Sequence, residues 1–148
     1  MNDLEAKKEK LFGNHVLLVT PMLPSGEIDE KSTRNLVDFV IDKGVHEILV
    51  LCSTGECFCL TESERKQFIE IVIYQTGSRV PVGVGVNDSS SDTSAQLAKH
   101  AAKNGIDYIF TTGYYFHPHG SEGIYRHDKY VAGATDLPVI VYDCGAGI

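Results

Sequence analysis

The sequence predicts an α/β fold with a parallel sheet, organised as a partial (β/α)8 barrel of about five βα units in a single incomplete domain over residues 1–148. Three observations predict it. Five short β-rich runs recur at fairly even spacing, and each of the first four is followed by a segment with helical signals, the alternation that gives parallel strands joined by right-handed crossovers. The runs are almost continuously apolar, as strands covered on both faces are. After the fifth run only Asp143-Cys144-Gly145-Ala146-Gly147-Ile148 remains. A five-stranded doubly wound domain also suits this length, but it normally covers its last strand with a helix; an eight-unit barrel of about 250 residues would be interrupted at this point.

The elements follow in order. His15 to Thr20 is the first strand, and Asp29 to Lys43 the first helix, with Leu36, Phe39 and Val40 on one face and Gly44 as its stop. Glu47 to Cys52 is the second strand. Thr61-Glu62-Ser63-Glu64 is a capping box, and Phe68, Ile71 and Val72 stripe the helix it opens, which ends at Gly77. Val80 to Val86 is the third strand. Ser89-Ser90-Ser91-Asp92 provides the N-cap region of a helix from Ser90 to Asn104, whose apolar residues include Ala95, Leu97, Ala98 and Ala101. Tyr108 to Thr112 is the fourth strand, Ser121 to Ala134 a helix diluted by Gly123 and Gly133, and Pro138 to Tyr142 the fifth strand.

With 43% hydrophobic and 22% charged residues, the chain has the apolar content for a core. A net charge of −7 and a pI near 5.3 argue against nucleic acid or an anionic membrane as partner. Glu5-Ala6-Lys7-Lys8-Glu9-Lys10 is mixed in charge with no apolar segment behind it, so no signal peptide is visible. No apolar run approaches the roughly 18 residues of a membrane helix. Cys52, Cys57, Cys59 and Cys144 lack the spacing of a disulfide scaffold, so reduced thiols and a cytoplasmic location are expected.

In either architecture the site lies at the C-terminal ends of the strands. Those ends read Thr20-Pro21, Ser53-Thr54-Gly55-Glu56, Gly85-Val86-Asn87, Thr112-Gly113-Tyr114-Tyr115 and Tyr142-Asp143. Hydroxyls dominate. Such a set holds a carboxylate and relays protons, and the two adjacent hydroxyls of Ser53-Thr54 with the loop amides form an oxyanion nest. It supplies no strong nucleophile, metal cage or phosphate loop, so no metal and no other cofactor is expected. Cys57-Phe58-Cys59 lacks the second ligand pair of a zinc site, His117 and His119 read as solvated loop residues, and Gly83-Val84-Gly85 lacks the third glycine of a dinucleotide fingerprint, Asp88 standing in its place.

Further motifs come in a fixed order: Thr20-Pro21, Gly26-x-Ile28-Asp29, Ser53-Thr54-Gly55-Glu56, Leu60-Thr61-x-x-Glu64-Arg65, Val80-Pro81-Val82-x-x-Gly85-Val86, Gly105-Ile106-Asp107, Tyr114-Tyr115, Glu122-Gly123, and Asp136-Leu137-Pro138 before Tyr142. From about Gly13 onward the chain resembles the dihydrodipicolinate synthase/N-acetylneuraminate lyase family of pyruvate-dependent class I aldolases, which are TIM barrels. The resemblance implies pyruvate or another 2-oxo acid as substrate. It implies that Ser53 and Thr54 bind the carboxylate, with Ser53 also in a proton relay. Tyr142 is then the tyrosine that shuttles protons as the Schiff base forms and collapses. Tyr115 is the second relay tyrosine, which in many members reaches into a neighbouring subunit's site. Full-length relatives are expected as homodimers or homotetramers. A Tyr–Ser–Tyr chain moves a proton without a charged base, while a fixed carboxylate orients the ketone carbon. Glu56 is expected to brace the loop.

The departures from the family pattern matter equally. Its Schiff-base lysine lies at the end of the sixth strand. Here Lys31, Lys43, Lys66, Lys99, Lys103 and Lys129 all fall in helix-like segments or their ends, away from the strand ends where an amine nucleophile is needed. Gly113 stands where proline is usual, and Asp143-Cys144-Gly145 replaces the usual asparagine segment after the tyrosine. The expectation is the N-terminal portion of a Schiff-base-forming lyase, of dihydrodipicolinate synthase type, that is inactive alone. The sialic-acid lyase or 2-keto-3-deoxy-sugar-acid aldolase branch is the alternative within the family. Outside it, the alternatives are a non-catalytic doubly wound binding module and a half-barrel that needs a partner.

Overall fold

The computed structural model describes residues 12–113 and 120–143. Its five strands, β1 (His15–Leu17), β2 (Glu47–Val50), β3 (Val82–Gly85), β4 (Tyr108–Thr112) and β5 (Val139–Tyr142), are all parallel and lie in the order β1-β2-β3-β4-β5. This strictly sequential order separates the two architectures. A doubly wound sheet reverses its order at a switch point, whereas a (β/α)8 barrel adds each strand beside the last. The doubly wound alternative is therefore set aside, and the partial barrel stands.

Four helices follow β1 to β4: α1 (Glu30–Asp42), α2 (Glu62–Thr76), α3 (Ser91–Lys103) and α4 (Ser121–Ala132). Their ends are fixed by local chemistry. Asp29 caps α1 by accepting from Ser32 N at 2.9 Å. Thr61 and Glu64 cap α2 reciprocally, and Gly77, at φ 55°, takes the left-handed conformation that closes it. Ser90 Oγ accepts from Thr93 N at the start of α3. Four strands, β1, β2, β3 and β5, are shorter than the sequence suggests, and the first two end early because the chain turns. Thr20 leaves β1 and its Oγ1 donates to Gly55 O, and β2 ends where Leu51 adopts φ 57°.

The main core lies between the sheet and the helices, where Ile48, Val50, Val84 and Ile109 meet Val37, Phe68, Ile69, Val72, Leu97 and Val131. One helix face differs from expectation. In α1 the buried residues are Thr33, Val37 and Val40, while Phe39 is 56% exposed with the Lys43 ammonium 5.4 Å from its ring centre. The burial stripe is centred on Val37, which turns Phe39 to the outside.

The opposite face of the sheet is the inner face of the barrel. Leu49, Cys52 and Tyr108 cluster there with Phe110 and Ile140. Gly83 makes room for Tyr108: a Cβ on Gly83 would lie 2.1 Å from the tyrosine ring. The Tyr108 hydroxyl donates to Glu47 Oε1, which also meets His15 Nδ1.

Candidate functional site

At the C-terminal edge of β2 the backbone is bent twice. Leu51 (φ 57°) and Glu56 (φ 52°) bracket a short 3-10 turn, Ser53–Gly55, and a second turn, Cys57–Cys59, follows. Left-handed non-glycine residues cost about 1–3 kcal/mol each and persist only where their surroundings hold them. The surroundings here are dense. Leu51 is fully buried, and a Cβ on Gly85 would lie 2.3 Å from its carbonyl oxygen, so only glycine at that position admits the bend. Thr20 Oγ1 donates to Gly55 O at 2.7 Å. From α2, Arg65 Nε donates to Cys57 O at 2.9 Å, and its Nη1 donates to Asn87 O and Asp88 Oδ2, each at 3.2 Å. Asn87 Oδ1 in turn accepts from Thr112 N at 2.9 Å. The ends of β1, β2, β3 and β4 are thus tied together. Glu56 braces the turn through its backbone, its N–H donating to Ser53 O and its carbonyl accepting from Cys59 N.

Above this framework, on the inner side of the sheet, lies a groove of about 370 Å³. Leu17, Leu49, Phe58 and Phe110 form an apolar wall, and Ser53, Thr54, Asn87, Thr112 and Tyr142 supply polar groups. Three of the four residues singled out from the sequence, Ser53, Thr54 and Tyr142, are therefore brought together; the fourth, Tyr115, lies outside the described residues. Tyr142 is half exposed and packs on Phe110, with ring centres 5.4 Å apart and planes tilted by 31°. Thr112 Oγ1 is buried with no hydrogen-bond partner among the described residues. Cys52 also lines the groove, but burial pushes its thiol up to about 12, so it is a neutral wall and not a nucleophile. Burial likewise pushes the Cys57 thiol up to about 11.

Lys31 lies in α1, Lys43 at its C-cap, Lys66 in α2, Lys99 and Lys103 in α3 and Lys129 in α4, so none lines the groove. A larger hollow of about 490 Å³ opens between α3 and α4 near Lys99, Arg126 and Lys129, on the outside of the sheet and away from the strand ends. Among the described residues no group of three His, Cys, Asp or Glu side chains is placed to hold a metal ion, and no helix is long and apolar enough to cross a membrane.

In the sequence Asn87 and Thr112 stand at strand ends without an assigned role, and Arg65 has none. A signal for Arg65 exists: it is in phase with Phe68, Ile69 and Val72 at helical spacing, a charged residue on the buried stripe of α2.

The geometry agrees with known proteins. The sequence profile of the dihydrodipicolinate synthetase family matches residues 10–146. The 4-hydroxy-tetrahydrodipicolinate synthase of Bartonella quintana is 36% identical over 133 residues, which are 90% of this chain and 45% of that protein. The crystal structure of dihydrodipicolinate synthase from Aquifex aeolicus matches with a TM-score of 0.85 at 33% identity, over 88% of this chain and 44% of the other. A prophage protein from E. coli K12 of the dihydrodipicolinic acid synthase family, solved in complex with pyruvate, matches with a TM-score of 0.86 at 29% identity, again over 88% and 44%. The chain spans about 45% of the length of the curated relatives it matches. Sequential parallel strands, a hydroxyl-lined groove at their C-terminal ends and a profile match across nearly all of the sequence lead to one assignment: the chain belongs to the dihydrodipicolinate synthetase family.

Proposed function

We propose that the groove is the 2-oxo-acid half of a Schiff-base-forming lyase site of the 4-hydroxy-tetrahydrodipicolinate synthase type, and that pyruvate is the acid it holds. The observation behind this is that Ser53, Thr54 and Tyr142, from the β2 turn and the end of β5, line one groove in which no charged side chain appears among the described residues. Hydroxyls of Ser53 and Thr54 hold the carboxylate, which fixes the ketone carbon in place. The apolar wall of Leu17, Leu49 and Phe110 receives the methyl group. Imine formation joins an amine nitrogen to the ketone carbon and expels the ketone oxygen as water, so the two protons the amine gives up must be relayed to that oxygen. Tyr142 delivers them through Ser53, and Tyr115 is the proposed second member of the relay. The amine is proposed to come from the part of the complete barrel that the described strands do not include, in a cytoplasmic homodimer or homotetramer, as the family resemblance implies.

The test is an NMR titration of this chain with pyruvate. Shifts centred on the amides of Ser53, Thr54 and Gly55, abolished in Thr54→Val, are expected; shifts elsewhere, or none, would refute the assignment. Borohydride added to the pyruvate mixture should leave the mass of the chain unchanged. A stable adduct on one of its lysines would show that the amine is present after all.

A further inference from the structure

We infer that Arg65 is a positioning residue of the 2-oxo-acid site, a buried clamp that holds the Leu51–Glu56 bend in the shape that presents Ser53 and Thr54. The inference rests on the function proposed above and assigns the residue that sets up its carboxylate-binding turn. Arg65 is only 7% exposed and is absent from the groove lining, so it does not touch the substrate. Two of its three acceptors are backbone carbonyls, those of Cys57 and Asn87, and these belong to the two loops that carry Ser53, Thr54 and Asn87 of the groove's polar groups. The third, Asp88, compensates its charge.

The bend needs such a clamp because both of its flanking residues are left-handed. Thr20 holds the bend just before Glu56 through Gly55 O, and Arg65 holds it just after Glu56 through Cys57 O. Asn87, 4% exposed, carries the constraint on to the end of β4 through Thr112 N. A guanidinium reaches the carbonyls of both loops at once through its rigid fork. A lysine ammonium is a single point donor on a flexible stem and cannot span them in the same way.

The alternative is that Arg65 merely stabilises α2, and the experiment separates the two. Arg65→Lys is compared with Thr61→Ala, which removes the cap of α2 at a side chain that hydrogen-bonds only Ser63 and Glu64 among the described residues and makes no bond to the bend or to Asn87. Three quantities are measured on the whole chain: pyruvate affinity by NMR titration, amide hydrogen exchange at Gly55, Glu56 and Cys57, and the thermal midpoint. Those three amides report the bend because they donate to Cys52 O and Ser53 O within it. Arg65→Lys is expected to weaken pyruvate binding about tenfold and to speed exchange at the three amides by a similar factor, the scale of one hydrogen bond to a charged group. Thr61→Ala should lower the thermal midpoint and leave the other two readouts unchanged. Unaltered affinity and exchange in Arg65→Lys, or equal changes in Thr61→Ala, would overturn the inference. Failure of the wild-type chain to bind pyruvate would refute the proposed function. Exchange then still decides the clamp: faster exchange in Arg65→Lys upholds it, and unchanged exchange overturns it.

Discussion

Glu47 places a fully buried carboxyl group on the inner face of the sheet, where the Tyr108 hydroxyl and His15 Nδ1 both meet Oε1 and Oε2 has no hydrogen-bond partner among the described residues. Burial disfavours the ionised form and raises the pKa above the ordinary 4.5; the Tyr108 hydrogen bond and His15 pull it back, and nearby Asp107 adds to the rise. The same burial and the adjoining carboxyl raise the Tyr108 phenol. Because the folded chain binds the Glu47 proton more tightly than the unfolded chain, the associated stability is fully present below about pH 4.5 and is lost as the pH rises through the folded-state pKa. Glu47→Gln keeps the shape and an acceptor for Tyr108 but cannot titrate. Urea unfolding of the two proteins should show the wild type losing about 1 kcal/mol relative to Glu47→Gln as the pH rises above 4.5 and through the folded-state pKa, the scale of an uncompensated buried polar group. Parallel curves would mean that the Glu47 carboxyl titrates alike in the folded and unfolded chains.

β3 is the element that makes the inner face possible, because two of its four residues have no side chain. Gly83 lies under the Tyr108 ring and Gly85 against the Leu51 carbonyl. Gly83→Ala is expected to cost about 1–3 kcal/mol through overpacking. In a Tyr108→Leu background the ring is gone, so the same substitution should cost clearly less, and a thermal-unfolding double-mutant cycle reads the difference. Equal costs in both backgrounds would place the clash elsewhere than at Tyr108. β3 also shows what the sequence makes legible. The alternation of runs and helices, the capping residues Thr61 and Ser90, and the hydroxyls at the strand ends are local patterns that place the elements and put Ser53, Thr54 and Tyr142 among the strand-end residues, from which the family resemblance singles them out. The two faces of a strand covered on both sides look alike in sequence, so the inward pairing of Tyr108 with Glu47 left no periodic signature. Leu51 is an ordinary leucine in an apolar run, and its bend follows from the approach of Gly85 rather than from its own residue type. Phe39 lies outside the buried stripe because a helix with apolar residues at 36, 37, 39, 40 and 41 has a broad stripe whose centre only tertiary packing settles.

At the scale of the whole molecule, sequential strand order has a physical consequence: among the described residues β1 pairs only with β2 and β5 only with β4, so the sheet has two parallel edges. Apolar surface is exposed beside them, with Leu17 40% exposed on the inner face and Val141 54% exposed on β5. In a closed barrel such edges are paired and such faces packed. Unpaired strand edges next to exposed apolar side chains drive association, so this chain is expected to self-associate with rising concentration and to bind ANS. Sedimentation velocity across a concentration series reads the first and dye fluorescence the second. Leu17→Lys with Val141→Lys distinguishes apolar from electrostatic causes, because both substitutions move the net charge of −7 towards zero and would by themselves favour association. If the exposed inner face and β5 edge are responsible, the double variant associates less and binds less dye despite its lower net charge. If association persists or grows in the double variant, the contact lies on another surface, and the helical face with its exposed Phe39, Tyr74 and Tyr125 is the next to test.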